Sequence, residues 1–76
     1  MNVNIIIFGQ LTEITGSSLV LENIKDTDEL AGALHRQFPA LAAVKYKIAV
    51  NRKLINENTL LAEYCEVAIL PPFSGG

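Results

Sequence analysis

Two stretches at opposite ends of the chain, VNIIIF at residues 3 to 8 and EVAIL at residues 66 to 70, are apolar along most of their length. Laid out as a strand, the first puts Val3, Ile5 and Ile7 on one side and Ile6 and Phe8 on the other. A strand without a polar face must be covered on both sides, by the fold alone or by the fold on one side and a partner on the other. The apolar character of both stretches places them side by side in the middle of one sheet, and everything else has to be arranged around that pair.

Between them, SLVLEN (residues 18 to 23) alternates as a second strand, with Leu19 and Leu21 on one face and Val20 and Glu22 on the other. LTEITG, ahead of it, reads as a single helical turn closed by Gly16. KDTDEL carries helix-start chemistry: Asp26 or Thr27 can accept from free backbone N–H groups, and Asp28 and Glu29 suit the positive first turn. A helix from about Thr27 to Phe38 follows, with Leu30, Ala31, Leu34 and Phe38 as its apolar stripe and Pro39 as its stop. Gly32 inside it costs about 1 kcal/mol relative to alanine, and a close approach of helix to sheet is the expected compensation. KYKIAV (45 to 50) sends Tyr46, Ile48 and Val50 to one side and Lys47 and Ala49 to the other. A turn at Asn51 to Lys53 leads to a brief strand, and NENTLLAEY mixes turn-formers with a short helical option.

The order strand, strand, helix, strand, short strand, strand predicts an α+β roll, a mixed sheet of four to five strands with one main helix packed across it. Seventy-six residues make one such domain, expected over 1–70 with an extended tail over 71–76. With 50% apolar and only 18% charged residues the chain is expected to fold on its own. No apolar run approaches the roughly 20 residues of a membrane span and the start lacks a basic signal region, so a cytoplasmic location is expected.

Composition excludes several chemistries. A net charge of −2 offers no attraction for a phosphate backbone. Lys45, Lys47, Arg52 and Lys53 cluster within nine positions, which reads as a solvated strand and turn or as a docking patch. One cysteine and one histidine do not make a protein-only zinc site. Cys65 reads as a small apolar filler, and His35, beside the helix stripe without a histidine or cysteine partner, as a half-exposed surface residue. Glu13, Glu63 and Glu66 read as solvated charges, so no enzymatic group is expected on the chain by itself.

The remaining feature is PPFSGG, residues 71 to 76. Pro71 and Pro72 fix φ near −65° and send the chain out stiffly, and six extended residues reach roughly 20 Å. Phe73 can anchor such an arm in an apolar pocket, Ser74 adds one small polar group, and Gly75 and Gly76 are bare backbone that fits a narrow tunnel. The reactive group at the tip is the Gly76 carboxylate, ionised at neutral pH and inert until activated. A mixed anhydride with adenylate supplies the leaving group, after which a sulfur donor can leave a nucleophilic thiocarboxylate.

From AVN (49 to 51) through EVAILPPFSGG (66 to 76), with FGQLTEITG (8 to 16) after the first strand, the chain resembles the molybdopterin synthase small-subunit family of ubiquitin-like sulfur carriers. The resemblance covers the whole length and implies a β-grasp fold. It implies that Gly76 is adenylated by an ATP-dependent, ubiquitin-activating-like adenylyltransferase and then sulfurated by a sulfur donor. It further implies that the Pro71, Pro72, Phe73, Ser74, Gly75 arm enters the large catalytic subunit, where sulfur passes to cyclic pyranopterin monophosphate. No bound cofactor or metal is implied, ATP being used by the activating enzyme. The small subunit of that heteromeric enzyme is non-catalytic. Phe8 and Leu70 are the expected partner surface, with burial in the domain's own core as the competing expectation. The family often has Gly-Asp where this chain has Tyr64 and Cys65, and an arginine where Thr12 stands. Two other functions remain open: sulfur carriage for thiamine thiazole synthesis, whose carriers share the fold and the glycine end, and an unreactive adaptor docking through its LPPF segment.

Overall fold

The computed structural model describes residues 2–62 and 65–72. Among them, five strands form one mixed sheet: β1 (Val3–Ile7), β2 (Ser18–Leu21), β3 (Lys47–Val50), β4 (Lys53–Leu54) and β5 (Val67–Leu70). Their spatial order is β2-β1-β5-β3-β4, so the first and last strands are neighbours in the centre. They run parallel, with Ile5 opposite Val67 and Ile7 opposite Ile69. β2 flanks β1 and β3 flanks β5, both antiparallel, with Ile48 opposite Ile69 and Val50 opposite Val67. The two long apolar stretches thus occupy the middle, as their lack of a polar face requires.

A short helix α1 (Thr12–Thr15) follows a 3-10 turn at Gly9–Leu11 and stops at Gly16, whose φ of 87° suits a residue without a Cβ. The main helix α2 (Thr27–Gln37) crosses one face of the sheet. Its start is fixed by Asp26, whose carboxylate accepts from the Glu29 N–H at 2.8 Å. Phe38, just ahead of Pro39, leaves helical geometry, with φ −130° and ψ 80°, and lies outside the helix. Leu30 and Leu34 are completely buried against Val3, Ile5, Ile7, Val67 and Ile69. Each such side chain contributes about 1.5–3 kcal/mol over an exposed one. Leu41, from a 3-10 turn at Pro39–Ala43 that no sequence signal announced, closes one end of this core. Ile24 and Leu61 are also buried in it.

NENTLLAEY departs from the helical option over its described part, residues 56–62, which is extended or turn-like. The reason lies at the start of α2. The Asn58 carboxamide oxygen accepts from the Asp28 N–H at 2.9 Å, its NH2 reaches Asp26, and the Thr27 and Thr59 backbones bond at 2.9 Å. The asparagine and threonine cap another helix instead of starting their own. A lone pairing of Asp26 with Leu60 completes the clamp.

His35 and Tyr46 form a pair that the sequence reading missed. The imidazole Nε2 lies 2.8 Å from the Tyr46 hydroxyl, with the rings edge to face, tying α2 to the start of β3. Burial pushes the Tyr46 phenol above its ordinary value. Cys65 is half-buried against the edge of the core, as a filler would be. No described helix is long and apolar enough to cross a membrane.

Gly32 corrects an expectation. A Cβ built there meets only the Arg36 guanidinium, at 3.9 Å, so no close helix-to-sheet approach requires the glycine. Gly32→Ala therefore raises the unfolding free energy by about 0.5–1 kcal/mol in denaturant titration. A loss of stability would mean that the helix packs more tightly than this geometry allows.

Candidate functional site

Since α2 covers one face of the sheet, the alternation of each strand decides what the other face presents. The paired residues Ile6 and Ala68, Ala68 and Ala49, and Ala49 and Leu54 form one row across that open face. A second row carries Leu70 opposite Lys47, with Phe8 beside it where the Phe8 N–H bonds the Ile69 carbonyl at 3.0 Å. Two alanines in the middle and larger side chains around them make a groove of about 460 Å³, bordered by Ile6, Phe8, Leu54 and Leu70. Ile6, Phe8 and Leu54 are 44%, 47% and 58% exposed, far above what a core position shows. Such an apolar depression on a small domain is a candidate contact surface.

Phe8 and Leu70 therefore stand on the open face and line this groove; neither joins the buried core. Lys47 and Arg52 are on its rim, whereas Lys45 and Lys53 are not among its lining residues. Glu66 also lines it, 3.4 Å from the Arg52 guanidinium.

The chain leaves the sheet at one end of the groove. Leu70 ends β5, Pro71 lines the groove, half-buried, and Pro72 is exposed. Phe73, Ser74, Gly75 and Gly76 lie outside the described residues, as do Glu63 and Tyr64. Pro71 is seated on Gly9. The glycine has φ +64°, and a Cβ there would fall 2.9 Å from Pro71 Cγ, inside any normal contact. The turn after β1 is held in shape by the Thr12 hydroxyl, which donates to the Gly9 carbonyl at 2.8 Å, and by buried Leu11. Thr12 thus braces the local turn where the family pattern has a charged arginine.

Strand alternation assigns Ile6 and Ala49 each to one face of its own strand, but only the pairing of β1, β5, β3 and β4 joins them with Ala68 and Leu54 into one row. Gly9 follows β1 with left-handed backbone. What makes it necessary is contact with Pro71, sixty-two positions later (71 − 9), and no local signal carries that.

A five-stranded mixed sheet with β5 parallel to β1 at its centre, and one main helix packed across it, is the ubiquitin-like β-grasp architecture. The chain belongs to the ThiS family of ubiquitin-like sulfur carriers, whose model matches residues 5–76. Among solved structures it is similar to a chain of the complex of subunits 1 and 2 of molybdopterin-converting factor from Helicobacter pylori 26695. That match has 30% identity, 100% of both chains covered and a TM-score of 0.74. It is also similar to small archaeal modifier protein 1 from Methanosarcina acetivorans, at 26% identity, 99% and 96% coverage and a TM-score of 0.79. The corresponding protein of Haloferax volcanii, at 22% identity, full coverage of both chains and a TM-score of 0.78, shares the fold.

Gly9→Ala places a side chain in left-handed backbone and against Pro71 at once. It lowers stability by about 1–2 kcal/mol and shifts the amide resonances of Phe8 and Leu70 beyond the local change at residue 9. Unchanged Leu70 resonances would separate the glycine from the root of the tail.

Proposed function

We propose that this chain is the sulfur-donating small subunit of a molybdopterin synthase, acting through a thiocarboxylate at Gly76. The observation that carries the proposal is the course of β5. The central strand runs without a break into Pro71 and Pro72 at the end of an exposed apolar groove, so a body docked through the groove aims the following residues into its partner. The full-length similarity to a chain of molybdopterin-converting factor supports this choice of partner, and the family match extends to residue 76.

The chemistry divides into steps that the chain undergoes and steps that its partners catalyse. A Gly76 carboxylate oxygen attacks the α-phosphorus of ATP in an adenylyltransferase, pyrophosphate leaves, and the acyl carbon gains AMP as a leaving group. A protein persulfide then attacks that carbon and AMP departs. A thiol reduces the resulting acyl disulfide, leaving the thiocarboxylate. Inside the large subunit its anionic sulfur is the nucleophile that adds to cyclic pyranopterin monophosphate. In this scheme the chain holds no cofactor, and Gly75 and Gly76 leave the acyl carbon open to each enzyme in turn. Phe73 anchors the arm, Ser74 spaces it, and Phe8 and Leu70 dock the body. Domain and tail divide at residues 70 and 71, and the setting is the cytoplasm.

Thiamine thiazole synthesis draws on the same family match, and a complementation experiment separates the pathways. The wild-type chain and a chain lacking Gly76 are expressed in strains deprived of their own carriers for one pathway or the other. Wild type restores molybdopterin-dependent enzyme activity and the truncated chain does not. Rescue of the thiamine strain alone would move the chain to that pathway, and rescue by the truncated chain would remove the thiocarboxylate from the account.

A further inference from the structure

The turn between β3 and β4 consists of Asn51 and Arg52, with φ of 51° and 69°. Two successive left-handed residues make the hairpin turn for which Asn-Gly is the low-strain pair. Asn51 is held in place: its side-chain oxygen accepts from the Glu66 N–H at 2.9 Å, and its own N–H donates to the Glu66 carbonyl at 2.7 Å. Arg52 has no comparable reason for its backbone. Its ion pair with Glu66 is long, at 3.4 Å, and the two side chains are 86% and 51% exposed, so it stabilises the fold little. A glycine would make the same turn with less strain.

What the strained position does accomplish is to hold a guanidinium on the rim of the apolar groove. Among the described lining residues, Lys47 and Arg52 are the cations and Glu66 is the acid. Two positive charges against one negative leave one positive charge in excess, on a chain whose net charge is −2. A partner that covers the apolar floor lowers the local dielectric and strengthens whatever the rim charges meet.

We infer that Arg52 is a specificity residue for docking: on association it turns from Glu66 to a carboxylate of the partner, whose contact surface is an apolar ridge bordered by an acid. The inference rests on the proposed docking through the open face and adds the partner's chemistry to it. Lys47, paired with Leu70 in the sheet, reinforces the same field. The recognition is sensitive to charge because the apolar floor by itself accepts any ridge of suitable width, whereas a partner without the acid leaves the excess positive charge of the rim uncompensated as the groove is covered.

The test measures association of the purified chain with the large synthase subunit, and with the activating enzyme, by stopped-flow mixing at low and high salt. Arg52→Gln slows association about three- to tenfold at low salt and flattens its salt dependence, with little change in dissociation. Glu66→Gln, which removes the competing acid, speeds association. Arg52→Gly slows it as Arg52→Gln does while raising the melting temperature by about 2–4 °C, so lost folding cannot explain the defect. If the wild-type chain binds either protein but Arg52→Gln associates at the wild-type rate at both salt concentrations, this inference is overturned and the docking reading stands. A wild-type chain that binds neither overturns both.

Discussion

Parallel pairing of β1 with β5 is the contact on which the rest of the molecule depends. It joins the two ends of the sequence, and a parallel pair of this kind needs a long crossover, which here contains the helix and every other strand. The odd-numbered residues Val3, Ile5, Ile7, Val67 and Ile69 meet Leu30 and Leu34 and make the core. The even-numbered ones, Ile6, Phe8, Ala68 and Leu70, are thereby committed to the opposite face, where the described chain has no second layer to cover them. One pairing therefore both builds the core and leaves an apolar groove exposed. A shift of one residue in register would exchange the two faces.

The same pairing fixes where the tail begins. Because β5 is central, its end is held by strands on both sides, and the chain beyond Leu70 starts from a rigid point next to Phe8. Pro71 then rests on Gly9, which has no side chain to obstruct it. Left-handed backbone occurs on both sides of the groove: at Gly9 under Pro71, and at Asn51 and Arg52 in the turn at the rim. The first is tolerated because it is a glycine. Asn51 is compensated by two backbone contacts to Glu66, while Arg52 has only an exposed ion pair. Asn23, the other left-handed non-glycine residue among those described, lies in the turn after β2 and does not line the groove, so Arg52 is the strained position whose side chain the groove displays.

Much of this was legible in the amino-acid sequence because the signals were local. Strand alternation in VNIIIF and KYKIAV predicted which residues face α2, and the Asp26 cap and Pro39 bounded the helix to within a residue. Legibility failed where distant segments meet. Asn58 and Thr59 carry turn chemistry that is used on the start of α2, thirty-one and thirty-two positions away from Thr27. His35 is half-exposed as expected but bonds Tyr46, eleven positions on, and Gly32 has no close neighbour that needs it. The site divides in the same way. Phe8 and Leu70 were readable as candidates, but the alanine floor and the two rim cations become one surface only when β3 is set beside β5.

The account holds that the folded body exists to present an acyl group at residue 76. Intact-protein mass spectrometry after incubation with the activating enzyme, ATP, a persulfide donor and a thiol tests this directly. The predicted product carries sulfur in place of one oxygen, located on fragmentation at Gly76. An unchanged mass under conditions that thiocarboxylate a known carrier, or sulfur found on Cys65 instead, would contradict it.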